Sequence, residues 1–181
     1  MSKVYVFMAD GTEEVEALTV VDLLRRAQVE VVTVSVMEKK QIRSSHNIGI
    51  EADELYGESD YMDGTMIVLP GGMPGTTHLR NHEGLRKILF TYKEAGKYLA
   101  AICAAPSVFG VNDMLKGKKA TCYPGFETEL QGAVVTNTAV VTDGQFITSK
   151  GLGTAIDFSL ELITLLVNAE TAERIAKSVQ Y

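Results

Sequence analysis

The sequence places a cysteine where a reactive thiol is expected. Cys103 lies in the stretch YLAAICAAPSVFG, residues 98–110, directly after an apolar strand-like run and just before a helical segment that begins with proline. Unpaired N–H groups and the positive end of the helix dipole face such a position, which predicts a lowered thiol pKa. The small residues Ala104 and Ala105 suit the tight turn of a nucleophile elbow. The alternative is a small buried hydrophobe, as most unpaired cysteines are, and position alone leaves both interpretations open.

A pair of glycines offers a second chemical feature. Gly71 and Gly72 follow the strand-like run of residues 66–69. Because it has no Cβ, Gly72 lets its N–H approach a ligand oxygen, so that together with the Ala104 N–H it could form a two-donor oxyanion hole. Taken alone, the Pro-Gly-Gly sequence indicates a turn more readily than a binding site.

Three glutamates open the first predicted helix, in the sequence Glu13-Glu14-Val15-Glu16. Acidic residues in a first turn usually stabilise the helix dipole from solvent and have no catalytic role. By helical angle Glu13 lies closest to the apolar face, and Glu14 and Glu16 lie on its flanks. The periodicity therefore leaves open which carboxylate reaches the interior.

The sequence favours neither a metal site nor a bound cofactor. His46, His78 and His82 are scattered through polar sequence and make no metal-ligand spacing with either cysteine, so we expect them on the surface. A glycine-rich turn at Gly151 follows a strand and opens a helix, but Ile156 occupies the third glycine position of the dinucleotide fingerprint. We therefore predict no metal and no cofactor.

Composition and charge limit the classes of protein to which this chain can belong. The chain has 181 residues, 46% of them hydrophobic, and only 4 prolines, which predicts one core and a single domain over residues 1–181. The net charge of −6 without a lysine or arginine cluster argues against nucleic acid or an anionic membrane as partner and favours a small neutral or mildly polar molecule. Two cysteines, no signal peptide and no long apolar run predict the reducing cytoplasm.

Strand-like and helix-like segments alternate along the chain. This alternation predicts crossover units on a mainly parallel sheet with helices on both faces. The predicted strands are residues 4–8, 32–36, 66–69, 98–102, 120–123, 139–141 and 146–148, and a short one is possible within HNIGIEAD. Ligands of such sheets bind at the carboxyl ends of the strands, which is where ADGTEEVE, PGGMPG and CAAP fall. Their convergence is the strongest functional signal in the residues themselves.

The motifs FMADGTEEVEA, IVLPGGMPG, AAICAAP, TCYPGFE and TSKGLGTAIDF together resemble the ThiJ/PfpI superfamily, in particular its YajL-like branch, which is related to the parkinsonism-associated protein deglycase. The resemblance covers the whole chain. It implies a flavodoxin-like α/β sandwich similar to class I glutamine amidotransferase domains, and a homodimer. It also implies that Cys103 is the nucleophile, that Glu16 is its carboxylate partner, and that the Gly72 and Ala104 amides are the oxyanion donors.

The sequence departs from the family pattern at three positions. Protease-like members carry histidine directly after the nucleophile, where this chain has Ala104, which argues against a hydrolase or amidotransferase dyad. Tyr123 stands where some deglycase relatives have histidine, and it cannot act as an imidazole base. The sequence Ser45-His46-Asn47 stands where relatives often have arginine, which weakens the case for anion recognition there.

The function implied is a cofactor-free glyoxalase or deglycase acting on α-oxoaldehydes such as methylglyoxal and glyoxal, or on their early adducts, to give 2-hydroxy acids. The competing hypothesis is a redox sensor or stress-linked chaperone that responds to oxidation of Cys103. For assembly, the apolar helix of residues 154–168 has more hydrophobic surface than one core contact needs.

Overall fold

The computed structural model describes residues 2–181. The helices, in chain order, are α1 (Glu14–Arg26), α2 (Gly75–Asn81), α3 (Glu83–Glu94), α4 (Pro106–Gly110), α5 (Ala155–Leu166) and α6 (Ala169–Ser178). The strands are β1 (Lys3–Met8), β2 (Glu30–Ser35), β3 (Gln41–Arg43), β4 (Gly49–Glu51), β5 (Glu54–Leu55), β6 (Met66–Leu69), β7 (Tyr98–Ile102), β8 (Lys119–Ala120), β9 (Val134–Val135), β10 (Val140–Asp143) and β11 (Phe146–Ser149). Two 3₁₀ turns, Glu127–Glu129 and Leu152–Thr154, complete the elements.

Seven strands form the central sheet, in the order β10-β11-β7-β6-β1-β2-β5. Every neighbouring pair is parallel except the β10–β11 hairpin at one edge. Each crossover between neighbouring parallel strands needs a long connection, and helices supply most of them. The structure therefore has the predicted flavodoxin-like α/β architecture, with a mainly parallel sheet between two layers of helices.

Alternating side chains of β1 fill two separate cores. Val4, Val6 and Met8 pack on the face covered by α1, α5 and α6, whereas Tyr5 and Phe7 pack on the face covered by α2, α3 and α4. All five side chains are fully buried. The period-2 alternation of a strand thus lets one short segment anchor both helical layers.

The central strands β1, β6 and β7 end at the same edge of the sheet. The chain leaves β1 toward β2 and leaves β6 toward β7, in opposite directions along the strand order. Such a reversal opens a crevice at the carboxyl ends, where ligands of this architecture bind. The loops that follow these three strands are the ones that sequence analysis expected to converge.

Two segments differ from the sequence-based prediction. The short strand considered within HNIGIEAD is present as β4, but it pairs in an antiparallel hairpin with β3, a strand that was not predicted. The strand predicted for residues 120–123 stops at Ala120; beyond it, the Thr121 N–H donates to the Thr148 hydroxyl and the Tyr123 N–H donates to the Cys103 carbonyl. These bonds replace a strand ladder and tie the segment to the end of β7.

None of the helices in residues 2–181 combines the length and the apolar character needed to cross a bilayer.

Candidate active site

Cys103 lies on a strained turn between β7 and α4. Its φ is +66°, a left-handed conformation that costs a non-glycine residue on the order of 1–3 kcal/mol. Two backbone bonds hold the turn: the Cys103 N–H donates to the Ser149 carbonyl at 2.9 Å, and the Cys103 carbonyl accepts the Tyr123 N–H at 2.8 Å. Ala104 and Ala105 are buried. The predicted tight elbow with small neighbours is present, and the thiol it carries is partly exposed.

Backbone N–H groups from two loops converge on the Cys103 sulfur. The N–H groups of Gly72, after β6, and of Ala104, after β7, lie close enough to the sulfur to lower the pKa of the thiol. Gly71 permits this approach, because a Cβ at that position would lie 2.5 Å from the Cys103 Cβ and 2.7 Å from the Glu16 Oε2. The sequence pattern assigned a role only to Gly72. The role of Gly71 was not predicted, although the Gly71-Gly72 pair is visible in the sequence.

Glu16 is the glutamate that reaches the thiol. It is only 1% exposed, and the Cys103 thiol lies close enough to lower the pKa of its carboxyl group. Its Oε2 accepts the Gly71 N–H at 3.0 Å, and the nearby Leu152 N–H also lowers the pKa of the carboxyl group. The structure therefore brings together the four residues named from the resemblance, and it adds Gly71 and Leu152 as groups that orient Glu16. Leu152 lies within the motif TSKGLGTAIDF, but that turn was considered only as a dinucleotide fingerprint.

Glu13 and Glu14 point elsewhere. Glu13 is the N-cap of α1, and its Oε2 accepts the Glu16 N–H at 2.7 Å. Glu14 contacts His46, whose Nδ1 lies 2.8 Å from Oε1 of the carboxylate. The helical-angle argument that put Glu13 nearest the apolar face fails because an N-cap residue has extended backbone and does not follow the helical wheel.

Burial raises the pKa of both members of the Cys103–Glu16 pair. It is the largest cause for Glu16, and it raises the pKa of that carboxyl to about 7 although Cys103 and Gly71 donate to it. Burial, followed by repulsion from the Glu16 carboxylate, raises the pKa of Cys103 to about 12. Neighbouring acids that resist joint ionisation share one proton. The pair is therefore a monoanion from about pH 7 upward.

This result corrects the expectation that the helix N-terminus lowers the pKa of Cys103. The N–H groups of Gly72 and Ala104 do act in that direction, but burial and the Glu16 charge outweigh them. α4 has only five residues, so its dipole is weak. Because Glu16 has the lower pKa of the two, the single negative charge lies mainly on its carboxyl group. The reactive form is the tautomer in which the proton has moved to Glu16 and Cys103 is the thiolate.

Tyr123 lies at the rim of this site and is 51% exposed. A Cβ added to Gly151 would lie 3.3 Å from the Tyr123 ring and 3.7 Å from Oε1 of Glu16. The ring thus packs over Gly151 beside the carboxylate, in the place where some relatives have histidine. It narrows the approach to Glu16 without supplying a base.

A cavity of about 660 Å³ opens between the loop after β2 and α2, and its lining includes Asp10, Met37, Lys39 and His78. Neither Cys103 nor Glu16 lines it. Convergent donors on a strained residue are stronger evidence of chemistry than volume, so we place the candidate active site at the thiol.

We expect Cys103 to alkylate faster than Cys122 between about pH 6 and 9, because Cys103 is partly exposed whereas Cys122 is buried. Cys122 is only 4% exposed, and burial raises its pKa to about 11. Mass mapping after limited iodoacetamide treatment across this pH range gives both rates, and Cys122→Ser is the control that should leave Cys103 labelling unchanged. Equal labelling of the two thiols would contradict the assignment of Cys103 as the nucleophile.

Comparison with known proteins identifies the family. The model of the DJ-1/PfpI family matches residues 2–165. Protein DJ-1 homolog B of Arabidopsis thaliana is 39% identical over 178 residues, which are 96% of this chain but only 40% of that protein. The glutathione-independent glyoxalase DJ-1 of Schizosaccharomyces pombe is 28% identical over 99% of this chain and 98% of its own. A solved structure of oxidized Toxoplasma gondii DJ-1 matches with a TM-score of 0.96 and 37% identity, covering 100% of this chain and 99% of that one. The chain therefore belongs to the DJ-1/PfpI family.

Proposed function

We propose that this protein is a cofactor-free, cysteine-dependent glyoxalase or deglycase. Its substrates are α-oxoaldehydes such as methylglyoxal and glyoxal, or their early adducts, and its products are 2-hydroxy acids. The observation that carries the proposal is the convergence of two backbone N–H donors and the Glu16 carboxyl on the Cys103 sulfur. The name of the S. pombe relative, a glutathione-independent glyoxalase, supports it. The test is Cys103-dependent formation of lactate from methylglyoxal without glutathione.

The first step is addition of the thiolate to the aldehyde. The Cys103 sulfur attacks C1 of methylglyoxal, the C–S bond forms, and the carbonyl π electrons move to oxygen. The Gly72 and Ala104 N–H groups, which lie close enough to the sulfur to lower the thiol pKa, are available to the developing oxyanion. Glu16 protonates that oxygen, and the product is a hemithioacetal.

The second step moves a hydrogen between the two carbons. The Glu16 carboxylate takes the proton from C1, the electrons pass through an enediol, and a proton returns to C2. C1 is thereby oxidised to a thioester while C2 is reduced to a secondary alcohol, so no external oxidant or reductant is needed. Glu16 suits this role because burial raises its pKa to about 7, which lets it both accept and release a proton near neutral pH.

The third step is hydrolysis. Water adds to the thioester, the C–S bond breaks, and lactate leaves as the anion; of the two protons released, one returns to the Cys103–Glu16 pair and the other goes to solvent. The overall change is addition of one water to methylglyoxal. A peptidase or amidotransferase is not favoured, because Ala104 and Tyr123 stand where histidine would be needed to protonate an amine leaving group.

A redox sensor or stress-linked chaperone is the second candidate. One observation favours it: the solved structure of the T. gondii relative is of an oxidized protein, and the partly exposed Cys103 thiol here is the group that peroxide would attack. A protonated Glu16 could donate a hydrogen bond to a sulfinate oxygen. The first experiment in the Discussion separates this candidate from the enzyme.

We also propose that the chain acts as one domain over residues 1–181, that it forms a homodimer, and that it works in the cytoplasm. The extra apolar surface expected on α5 is covered within the same chain. Phe158, Leu162 and Ile163 are buried, and α5 packs against both α1 and α6. Val15 and Leu18 on α1 are among the exposed apolar side chains, and we propose that the dimer interface lies on this face of α1. Two free thiols agree with a reducing compartment.

Light scattering of the wild-type protein at micromolar concentration should give about twice the chain mass of 19.7 kDa. Leu18→Asp should shift the protein toward the monomer, because a charge would be buried in the proposed α1 interface. Val167→Asp is the matched control, since Leu18 and Val167 are both 42% exposed and Val167 lies beyond α5. A monomeric wild-type protein, or equal effects of the two variants, would contradict the proposed interface.

A further inference from the structure

We propose that Glu13, Glu14 and His46 form a binding site for a divalent transition-metal ion such as Zn²⁺. The site adjoins the thiol site but shares no side chain with it. It goes beyond the proposed function and does not depend on it. Sequence analysis predicted no metal because it compared the histidines only with the cysteines, whereas the other ligands here are carboxylates on a different segment.

The three side chains present one ligand atom each to a common point. These atoms, two carboxylate oxygens and one imidazole nitrogen, all lie within 4.8 Å of one another. Nδ1 of His46 is 2.8 Å from Oε1 of Glu14 and 3.9 Å from Oε1 of Glu13. Ligand atoms about 2.0–2.2 Å from a tetrahedral ion would be separated by roughly 3.3–3.6 Å, so side-chain movements of about an ångström or less would complete the site.

An unsatisfied buried oxygen points into this space. Glu13 is 8% exposed, and its Oε1 is buried without a hydrogen-bond partner. The other oxygen, Oε2, is occupied as the cap of α1, where it accepts the Glu16 N–H. Buried carboxylate oxygens are normally satisfied by a donor or a cation. Oε1 of Glu13 has no hydrogen-bond donor and lies 3.9 Å from Nδ1 of His46, so it is placed to coordinate a metal ion.

Charge also favours a cation. Both glutamates are buried, and among residues 2–181 the ion pairs of Glu13 and Glu14 are made only with His46. Two carboxylates and one neutral imidazole carry a charge of −2, which a divalent ion would balance. The His46 side chain is 68% exposed, so an ion bound there is open to solvent on one side.

The two segments that supply the ligands are already fixed to each other. The Ser45 N–H donates to the Thr12 carbonyl at 2.8 Å, and the Gly11 N–H donates to the Arg43 carbonyl. The Ser45 hydroxyl also donates to Oε2 of Glu14 at 3.3 Å. Because these bonds hold the loop after β3 against the start of α1, little ordering is required when an ion binds.

The donor set selects the class of ion. One imidazole and two carboxylates suit Zn²⁺ and its neighbours in the transition series, whereas Ca²⁺ and Mg²⁺ prefer oxygen ligands alone. Three protein ligands leave a position for water, and the exposed His46 ring places that position toward solvent. We therefore expect Zn²⁺ to bind, and Mg²⁺ to compete poorly.

The experiment is calorimetric titration of chelator-treated protein with Zn²⁺. The wild-type protein and Cys103→Ser should each bind one equivalent. His46→Ala should weaken binding by more than about 100-fold, because loss of even an outer-shell partner weakens metal binding about 10–100-fold. His78→Ala is the matched control and should bind as the wild type does. His46 is exposed, so the variant should fold, and its thermal unfolding without metal should match that of the wild type.

Co²⁺ substitution gives a second readout. The absorption spectrum should show nitrogen and oxygen ligation without a thiolate charge-transfer band, in both the wild-type protein and Cys103→Ser. Binding that survives His46→Ala, a thiolate band that disappears in Cys103→Ser, or no binding at micromolar Zn²⁺ would each overturn the proposal. None of these outcomes bears on glutathione-independent lactate formation, so failure here is distinguishable from failure of the proposed function.

Discussion

Cys103→Ser should abolish conversion of methylglyoxal to lactate, lowering kcat/KM by at least about 1,000-fold. A serine hydroxyl is a poor nucleophile without an imidazole to deprotonate it, and this chain has Ala104 and Tyr123 at the positions where relatives carry histidine. The assay contains purified protein and methylglyoxal without glutathione, across about pH 6 to 9, and buffer-catalysed loss of methylglyoxal is subtracted. Cys122→Ser is the matched control and should retain activity, because Cys122 is buried in the second core.

Incorporation of deuterium from solvent distinguishes lactate formed by the proposed proton relay from lactate formed by another route. A carboxyl group that returns a proton to C2 exchanges with D₂O, so the lactate formed by the wild-type protein should carry deuterium at C2. If Cys103-dependent lactate formation is absent while peroxide converts Cys103 cleanly to the sulfinate, the proposed enzyme activity is wrong and the redox-sensor function is favoured.

The central sheet could be predicted because its signals are local. The buried strands β6 and β7 are uninterrupted apolar runs, and each ends at a residue that changes the backbone, Pro70 after β6 and Cys103 after β7. The adjacency of β6 and β7 in the sheet agrees with the tendency of consecutive strands to lie side by side. The hairpin of β3 and β4 was predicted only in part: a short strand was considered where β4 lies, whereas β3 was missed, because three residues are too few for an alternating pattern to stand out.

The sequence predicts which loops form the candidate site, but it does not predict which side chains contact one another there. Nothing local in the sequence says that Glu13 caps α1 while Glu16 turns inward, since the difference depends on where the helix begins. Likewise the Gly71 and Leu152 N–H groups reach Glu16 only because β6 and β11 end at the same edge. The raised thiol pKa was missed for a related reason: burial and the neighbouring carboxyl are tertiary effects, and they outweigh the local dipole.

Glu16→Gln should lower kcat for methylglyoxal by about 10²–10⁴-fold while changing KM much less. Glutamine has nearly the same shape, and its amide oxygen can still accept the Gly71 N–H that Glu16 accepts at 3.0 Å. It cannot take a proton from C1 and return one to C2. The measurement is steady-state lactate formation with D₂O incorporation, and Asp22→Asn, an exposed substitution on the same helix, is the control that should remain active.

The alkylation rate of Cys103 in Glu16→Gln separates a proton relay from a merely structural role. If Glu16 only holds the turn in place, the substitution should disturb the strained Cys103 backbone, and the loss of turnover should be matched by altered stability or by labelling of Cys122. If Glu16 is the relay, Cys103 should still be alkylated, because the Gly72 and Ala104 donors remain, while turnover and C2 deuteration disappear together. Activity within about tenfold of the wild type would instead require a different proton carrier. Tyr123, whose ring lies beside the carboxyl group over Gly151, would be the first residue to replace next.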